Sequence, residues 1–250
     1  MTSDIPKVII EHCAKAERIG VLTGAGVSAE SGVPTFRGSD GIWKKLNPLE
    51  LASMEAFMKN PDLVWEWYQH RRMIMHNVRP NAAHLTLAAM EVDYRRFSIS
   101  TQNIDGLHQR AGSRRVYELH GNIARNRCAS CNESVEIEGF ELSTVPRCRC
   151  GGSIRPDVVW FGEMLPAEAL QCAFADARAA EVYFCIGTSA VVYPAAQLPY
   201  EALECGAFVV EINLEPTELT AYAHQSLLGR AGDILPRLWN AVQNERASKV

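Results

Sequence analysis

The stretch RIGVLTGAGVSAESG, residues 18–32, sets the reading of the whole chain. Residues 19–23 form a short, apolar, β-compatible run that stops at Gly24-Ala25-Gly26. A strand running into a tight glycine turn is the opening of a dinucleotide-binding α/β unit. Glycines let the backbone approach a pyrophosphate and leave amides free to bond it. The third glycine of the usual fingerprint is missing, and Ser28 stands in the turn instead. A glycine turn that serves only packing is the competing reading. No GK[ST] follows, which disfavours a P-loop nucleotide hydrolase. Arg37, in VPTFRG, either meets a phosphate or faces solvent.

Outward from this turn the pattern repeats. RRFSIST (95–101), VYEL (116–119), EVYFCIG (181–187) and AFVVEIN (207–213) are short β-branched or aromatic runs that read as buried parallel strands. Helical patterns over 5–17, 166–179, 194–205 and 216–227 flank or separate them, and 39–96 is largely helical. The layout is βα repetition with two insertions, an α/β fold. The chain has 250 residues, 47% of them hydrophobic, enough for a substantial core. Its net charge of -4 and its lack of a basic run argue against nucleic-acid binding. No segment reads as a secretory signal or a spanning helix, so the expectation is a soluble, cytoplasmic monomer.

Of eight cysteines, Cys128, Cys131, Cys148 and Cys150 fall in CASC and CRC, with sixteen residues between the pairs. Two close thiol pairs joined by a loop can give the four-sulfur tetrahedron of a structural zinc, which has no open position for catalysis. Disulfides and free thiols compete with that reading. The second pair has one intervening residue rather than the usual two, and Gly151-Gly152 would relieve the crowding this causes. Two polar clusters sit past strand ends, where ligands of α/β folds bind. One is TQNIDGLH, with Gln102, Asn103 and Asp105; the other is ELHGN, with His120 as a candidate general base. There is no GxSxG or HExxH.

Taken in order, GAGVSAESGVPTFRG (24–38), TQNIDGLH (101–108), ELHG (118–121), VVWFGE (158–163), GTS (187–189) and IN (212–213) resemble the sirtuins, the NAD-dependent protein-lysine deacylases, in their compact bacterial form. The matched blocks run through nearly the whole chain. The resemblance implies a Rossmann-like parallel-sheet domain built from residues 1–38, 97–123 and 157–250. A smaller domain would comprise a helical insertion, 39–96, and a zinc-binding module, 124–156. It implies that Gly24, Ala25, Gly26, Ser28, Phe36, Arg37, Gln102, Asn103, Ile104, Asp105, Gly187, Thr188, Ser189, Asn213 and Ala231 surround NAD. Val159, Trp160 and Phe161 would border the acyl-lysine tunnel and pair with an extended substrate peptide. In the family's reaction the acyl oxygen displaces nicotinamide from the ribose, and His120 takes a proton from a ribose hydroxyl. Free lysine, nicotinamide and O-acyl-ADP-ribose result, with Asn103 and Asp105 as orienting groups. Mono-ADP-ribosyl transfer and a nonenzymatic binding module are the alternatives.

WEWYQHRR (65–72) reads first as a core helix whose arginines snorkel to water. Tyr68 and Arg71, however, share one face at i and i+3. Their Y-x-x-R spacing resembles the pair found in sirtuins that remove succinyl and other acidic acyl groups. A guanidinium and a phenol can satisfy a buried carboxylate. Arg72 lies one residue out of that pattern.

Overall fold

The computed structural model describes residues 5–35, 51–137 and 144–249. Phe36 and Arg37, both read as cofactor-binding, lie outside the described residues. In chain order the strands are β1 (Arg18–Thr23), β2 (Arg96–Thr101), β3 (Val116–Glu118), β4 (Gly121–Cys128), β5 (Ile154–Val158), β6 (Val182–Ile186), β7 (Phe208–Asn213) and β8 (Gln225–Leu228). Six of them form one sheet in the order β3-β2-β1-β6-β7-β8, parallel throughout. β4 and β5 make a separate antiparallel pair.

Both faces of the sheet are buried, and the side chains alternate between them as a strand requires. Ile19, Val21, Val182, Phe184, Ile186, Val210 and Ile212 enter one core, with the helices Lys7–Lys15, Ala82–Asp93 and Ala231–Ala247. Leu22, Tyr183, Cys185 and Val209 enter the other, under Ala167–Ala179 and Leu198–Glu204. Gly20 makes room for Tyr183, whose ring would lie 2.6 Å from a Cβ there. A third core joins the helices Met54–Lys59 and Pro61–Asn77 to β4, β5 and the cysteine turns, through Phe57, Trp65, Tyr68, Ile123, Ile154 and Trp160. The helix Ala82–Asp93, read from the sequence as part of the first insertion, packs instead on the sheet.

One sequence expectation fails. Residues 216–227 are not a helix but a 3-10 turn, Glu218–Ala221, followed by the edge strand β8. The cause is Glu211 on β7, a buried carboxylate that accepts from the hydroxyls of Thr217, Thr220 and Ser226. Satisfying one buried charge with three hydroxyls outweighs the helical pattern of the segment.

The winding direction reverses between β1 and β6, so their carboxyl ends form the topological switch point of the sheet. Thr23 is in register with Thr101 on one side and Ile186 on the other. The turns beginning at Gly24, Gln102 and Gly187 therefore emerge side by side.

Candidate active site

The loops leaving β1 and β6 interlock. The Gly26 amide donates to the Gly187 carbonyl at 2.8 Å, and the Gly24 amide to that of Ile186 at 3.0 Å. A Cβ on Gly24 would lie 2.7 Å from Thr188 Cβ, and one on Gly26 2.7 Å from Gly187 Cα. One on Gly187, where φ is +60°, would lie 2.4 Å from the Val27 nitrogen. The glycines are thus required by loop-on-loop packing whatever binds above them. Gly187→Ala is expected to cost about 3 kcal/mol or more, from a strained backbone plus a clash with main chain. A thermal melt would read this as a Tm drop of roughly 6–12 °C; an unchanged Tm would show that the two loops can separate.

The rim of this interlock remains open to a ligand. The amides of Ala25, Thr188 and Ser189 find no acceptor among the described residues. Three donors on neighbouring loops at a switch point suit a diphosphate. Gln102 Nε2 donates to Thr188 Oγ1 at 2.9 Å, and Asn213 Nδ2 to the Thr188 carbonyl at 3.0 Å, so both hold the β6 loop in place. Ala231 opens the last helix and is buried in the sheet's core.

Beneath the rim lies a buried polar network. Asp105 accepts from Ser28 Oγ at 2.7 Å and from the Leu107 amide at 2.9 Å. Burial raises its carboxyl above the ordinary value, while those two bonds and the charge of Arg110 pull it back down. Asn103 Nδ2 donates to the Gly24 carbonyl at 3.0 Å and to Ser28 Oγ at 3.1 Å. Ile104 is half-buried; its carbonyl takes the Ile123 amide at 2.9 Å and ties this turn to β4. Four further residues belong to the network. Thr23 Oγ1 meets Thr101 Oγ1 at 2.8 Å and His108 Nε2 at 2.9 Å, and His84 Nε2 lies 3.4 Å from Ser28 Oγ. Burial pushes His84 down to about 4 and His108 to about 3, so both rings are neutral at pH 7. A sequence signal for the threonines existed, since LTGAG and ISTQN both end a strand on Thr. His84 was legible only as the third residue after Asn81 in a capping box.

His120 sits between β3 and β4 with Nδ1 2.9 Å from the Gln102 carbonyl. That contact places the proton on Nδ1, as a donor to the carbonyl, and leaves Nε2 as the basic nitrogen. Burial lowers the ring's pKa, against the raising effect of the same hydrogen bond. The His120 carbonyl accepts the Val159 amide at 2.9 Å, which joins this turn to the segment 159–161.

In that segment the three side chains diverge. Val159 is half-buried and Phe161 is 48% exposed. Trp160 is buried, its ring covered at 3.3 Å by the guanidinium of Arg155, which is bidentate to Glu163. The amides of Val159, Trp160 and Phe161 all bond within the chain, to His120 O, Glu163 Oε2 and Ala52 O. An added peptide strand here would meet carbonyl oxygens rather than amides.

Trp160 Nε1 donates to the Tyr68 hydroxyl at 2.9 Å. Tyr68 lies on the helix Pro61–Asn77, which starts at the side-chain cap of Asn60 with Pro61 in its first turn. Neither arginine snorkels to water: Arg71 and Arg72 are only 7% and 5% exposed. Arg72 spends its donors on Gln69, Asn126 and the carbonyls of Ile123 and Arg125, pinning the helix to β4. Arg71 instead lies over the rings of Trp67, at 4.7 Å, and Tyr68, at 5.8 Å.

The four cysteines converge, with all their sulfurs within 4.8 Å of one another. Cys128 and Cys150 sulfurs are 3.5 Å apart, those of Cys131 and Cys148 3.7 Å. A disulfide needs about 2.05 Å, whereas a tetrahedron with Zn–S bonds of about 2.3 Å has edges of about 3.8 Å. The donor set fits zinc. Gly152 is needed here, because a Cβ would lie 2.8 Å from Cys128 Sγ.

Residues 24–194, which include the glycine turn, the polar switch point and the four cysteines, match the model of the Sir2 family. The chain belongs to the Sir2 family. Among Sir2 relatives, an NAD-dependent protein deacylase of Aquifex aeolicus is 49% identical over 233 residues, covering 92% of this chain and 98% of its own. A solved Sir2 homologue in complex with NAD superposes with a TM-score of 0.92 at 44% identity, over 98% of this chain and 96% of that one. A Sir2–peptide–NAD+ complex superposes with a TM-score of 0.83 at 33% identity, over 94% of this chain and 97% of that one. Among the described residues no helix is long and apolar enough to cross a membrane.

Proposed function

We propose that this Sir2 chain is an NAD-dependent protein deacylase that removes succinyl and other acidic acyl groups from lysine, acetyl groups more slowly, with O-acyl-ADP-ribose and nicotinamide as products. NAD supplies the electrophilic ribose carbon. Ala25, Thr188 and Ser189 would hold its diphosphate through their amides, with Gly24, Gly26 and Gly187 letting the loops close beneath it. Ser28, Gln102, Asn103, Ile104 and Asp105 would shape the ribose and nicotinamide pocket, Asn213 and Ala231 the adenosine end. His120, neutral because it is buried, accepts a proton at Nε2. The first insertion, without its sheet-packed helix Ala82–Asp93, and the module 124–156 would form the smaller domain, and the substrate would enter as an extended peptide between it and the sheet. A cytoplasmic monomer without nucleic-acid or membrane partners completes the reading.

The observation that carries the acyl preference is the chain of contacts from His120 through Val159 and Trp160 to Tyr68. Because the Tyr68 oxygen accepts from the Trp160 indole, its own proton is left to donate to another acceptor. The Arg71 guanidinium lies 5.8 Å from the Tyr68 ring on the same side of the helix; burial lowers its pKa, with the neighbouring Tyr68 opposing. An acyl carboxylate brought beside Tyr68 and Arg71 would accept from the phenol and the guanidinium together. Arg72, engaged with Gln69 on its own helix and with β4, is not the reader.

The test is kcat/KM for one lysine peptide carried as succinyl and as acetyl. A succinyl preference of about tenfold or more is expected from one charge-assisted bond. Arg71→Met should cut succinyl turnover roughly 10- to 150-fold and leave acetyl turnover within about threefold. Equal losses on both substrates would reassign Arg71 to packing.

A further inference from the structure

A cleft of about 610 Å³ lies beside the site just described and shares Asp105 with it. Gly24, Gln102, His120 and Gly187 do not line it; Arg72, Arg79, Arg110 and Arg125 do, with Asp105 and Glu118 as its two acids. Four guanidiniums against two carboxylates make the lining cationic, in a chain whose net charge is -4. The acids are already spent. Asp105 is bonded by Ser28 and the Leu107 amide; Glu118 takes Gln109 and Asn122 on one oxygen and Arg125 on the other.

Arg125 is paired with Glu118 and Asp157, whereas Arg79 and Arg110 are less committed. Arg110 donates only to the carbonyls of Met75 and Val78, at the end of the helix Pro61–Asn77, which fixes its position while leaving donors over. Arg72 is held by Gln69, Asn126 and carbonyls. Arg79 is exposed and has no partner among the described residues. No carboxylate forms an ion pair with Arg72, Arg79 or Arg110 among the described residues. A concave site of ligand size, with more guanidiniums than carboxylates in its wall and with Arg79 and Arg110 holding donors to spare, is complementary to a compact polyanion.

We propose that this cleft binds a small molecule bearing two or more negative charges, of the diphosphate or polycarboxylate class, on the far side of Asp105 from the glycine turns that would hold the NAD diphosphate. The wall includes Glu118 and Asn122 on either side of His120, and it includes Asp105, so the ligand sits behind the segments that carry the candidate base. This inference does not depend on the acyl preference and is read without turnover.

The experiment is calorimetric titration of the zinc-loaded protein with pyrophosphate and, separately, citrate, at fixed ionic strength. The wild type is compared with Arg79→Glu and with Arg95→Glu, which makes the same charge change at an exposed arginine paired to Glu17. NAD titration of each protein first establishes that the fold and the NAD site are intact. We expect Arg79→Glu to weaken pyrophosphate, citrate or both at least tenfold, while Arg95→Glu binds as the wild type does. Binding of pyrophosphate alone assigns a phosphate ligand, and of both a site that reads charge only. No binding of either anion overturns the proposal. So does undiminished binding in Arg79→Glu, or an equal loss in Arg95→Glu.

Discussion

Replacing His120 by alanine lowers kcat/KM by about 10²- to 10⁴-fold, the span that a positioned general base contributes. NAD affinity and Tm should stay close to those of the wild type. The side chain's recorded hydrogen bond is to the Gln102 carbonyl, which stands beside a loop otherwise held by Gln102 Nε2 on Thr188 and by the interlocked glycines. Removing the ring therefore takes away the base without unlocking the pocket. If NAD affinity fell in parallel with turnover, His120 would be a structural prop of the Gln102 turn.

The pH profile gives the same residue a second, independent reading. Burial holds His120 below the ordinary histidine value of 6.5, with the Gln102 bond opposing. A base whose pKa is depressed stays neutral and competent as pH falls from 7, and loses activity only as pH drops through that lowered pKa. The acid limb of kcat/KM should accordingly lie below pH 6.5. His84 and His108, pushed down to about 4 and about 3, also titrate on the acid side, and His120→Ala separates their contribution from that of His120. A limb above 6.5, or one that survives in His120→Ala, would assign the titration elsewhere.

How much of this was written in the sequence depends on the kind of contact involved. The sheet was legible because buried parallel strands are short β-branched runs, and 19–23, 95–101, 181–187 and 207–213 carry that mark. Edge strand β8 was not. Its four residues, QSLL, owe their shape to the Glu211 carboxylate, a partner many residues away that no local pattern announces. The cysteine turns were legible from spacing alone, since four thiols in two tight pairs have few other uses. The two arginines show the limit. Adjacent, identical and both buried, Arg71 and Arg72 differ only in what surrounds them, and periodicity could say no more than that they face different ways. The glycine turn was also read for one purpose and serves two: the same absence of Cβ that suits a diphosphate lets β1 and β6 loops interlock.

Stripping the metal is the second large effect. Chelation under reducing conditions, or Cys148→Ser, is expected to abolish deacylation, at least about 100-fold, while NAD binding persists within a few-fold. The asymmetry follows from where the sulfurs sit. Cys128 and Cys148 belong to the same apolar core as Phe57, Trp65, Tyr68, Ile154 and Trp160, and contribute nothing to the cores on the two faces of the sheet. Structural zinc supplies about 10–16 kcal/mol in small peptides, as much as the whole stability of an average domain, about 5–15 kcal/mol. Losing it should loosen β4 and β5, and with them the Trp160–Tyr68 bond and the Val159 amide on His120. The glycine interlock at the switch point has its own core and should survive. Near-UV circular dichroism would report the loss of tryptophan packing while most far-UV signal remains. Restoring zinc should recover turnover, and cobalt should recover it within a few-fold, because four thiolates fill the shell and leave the ion no part in the chemistry. A metal-free protein with full activity would show that the third core holds without its metal. A cobalt protein with much altered kcat would show that the ion touches the reaction.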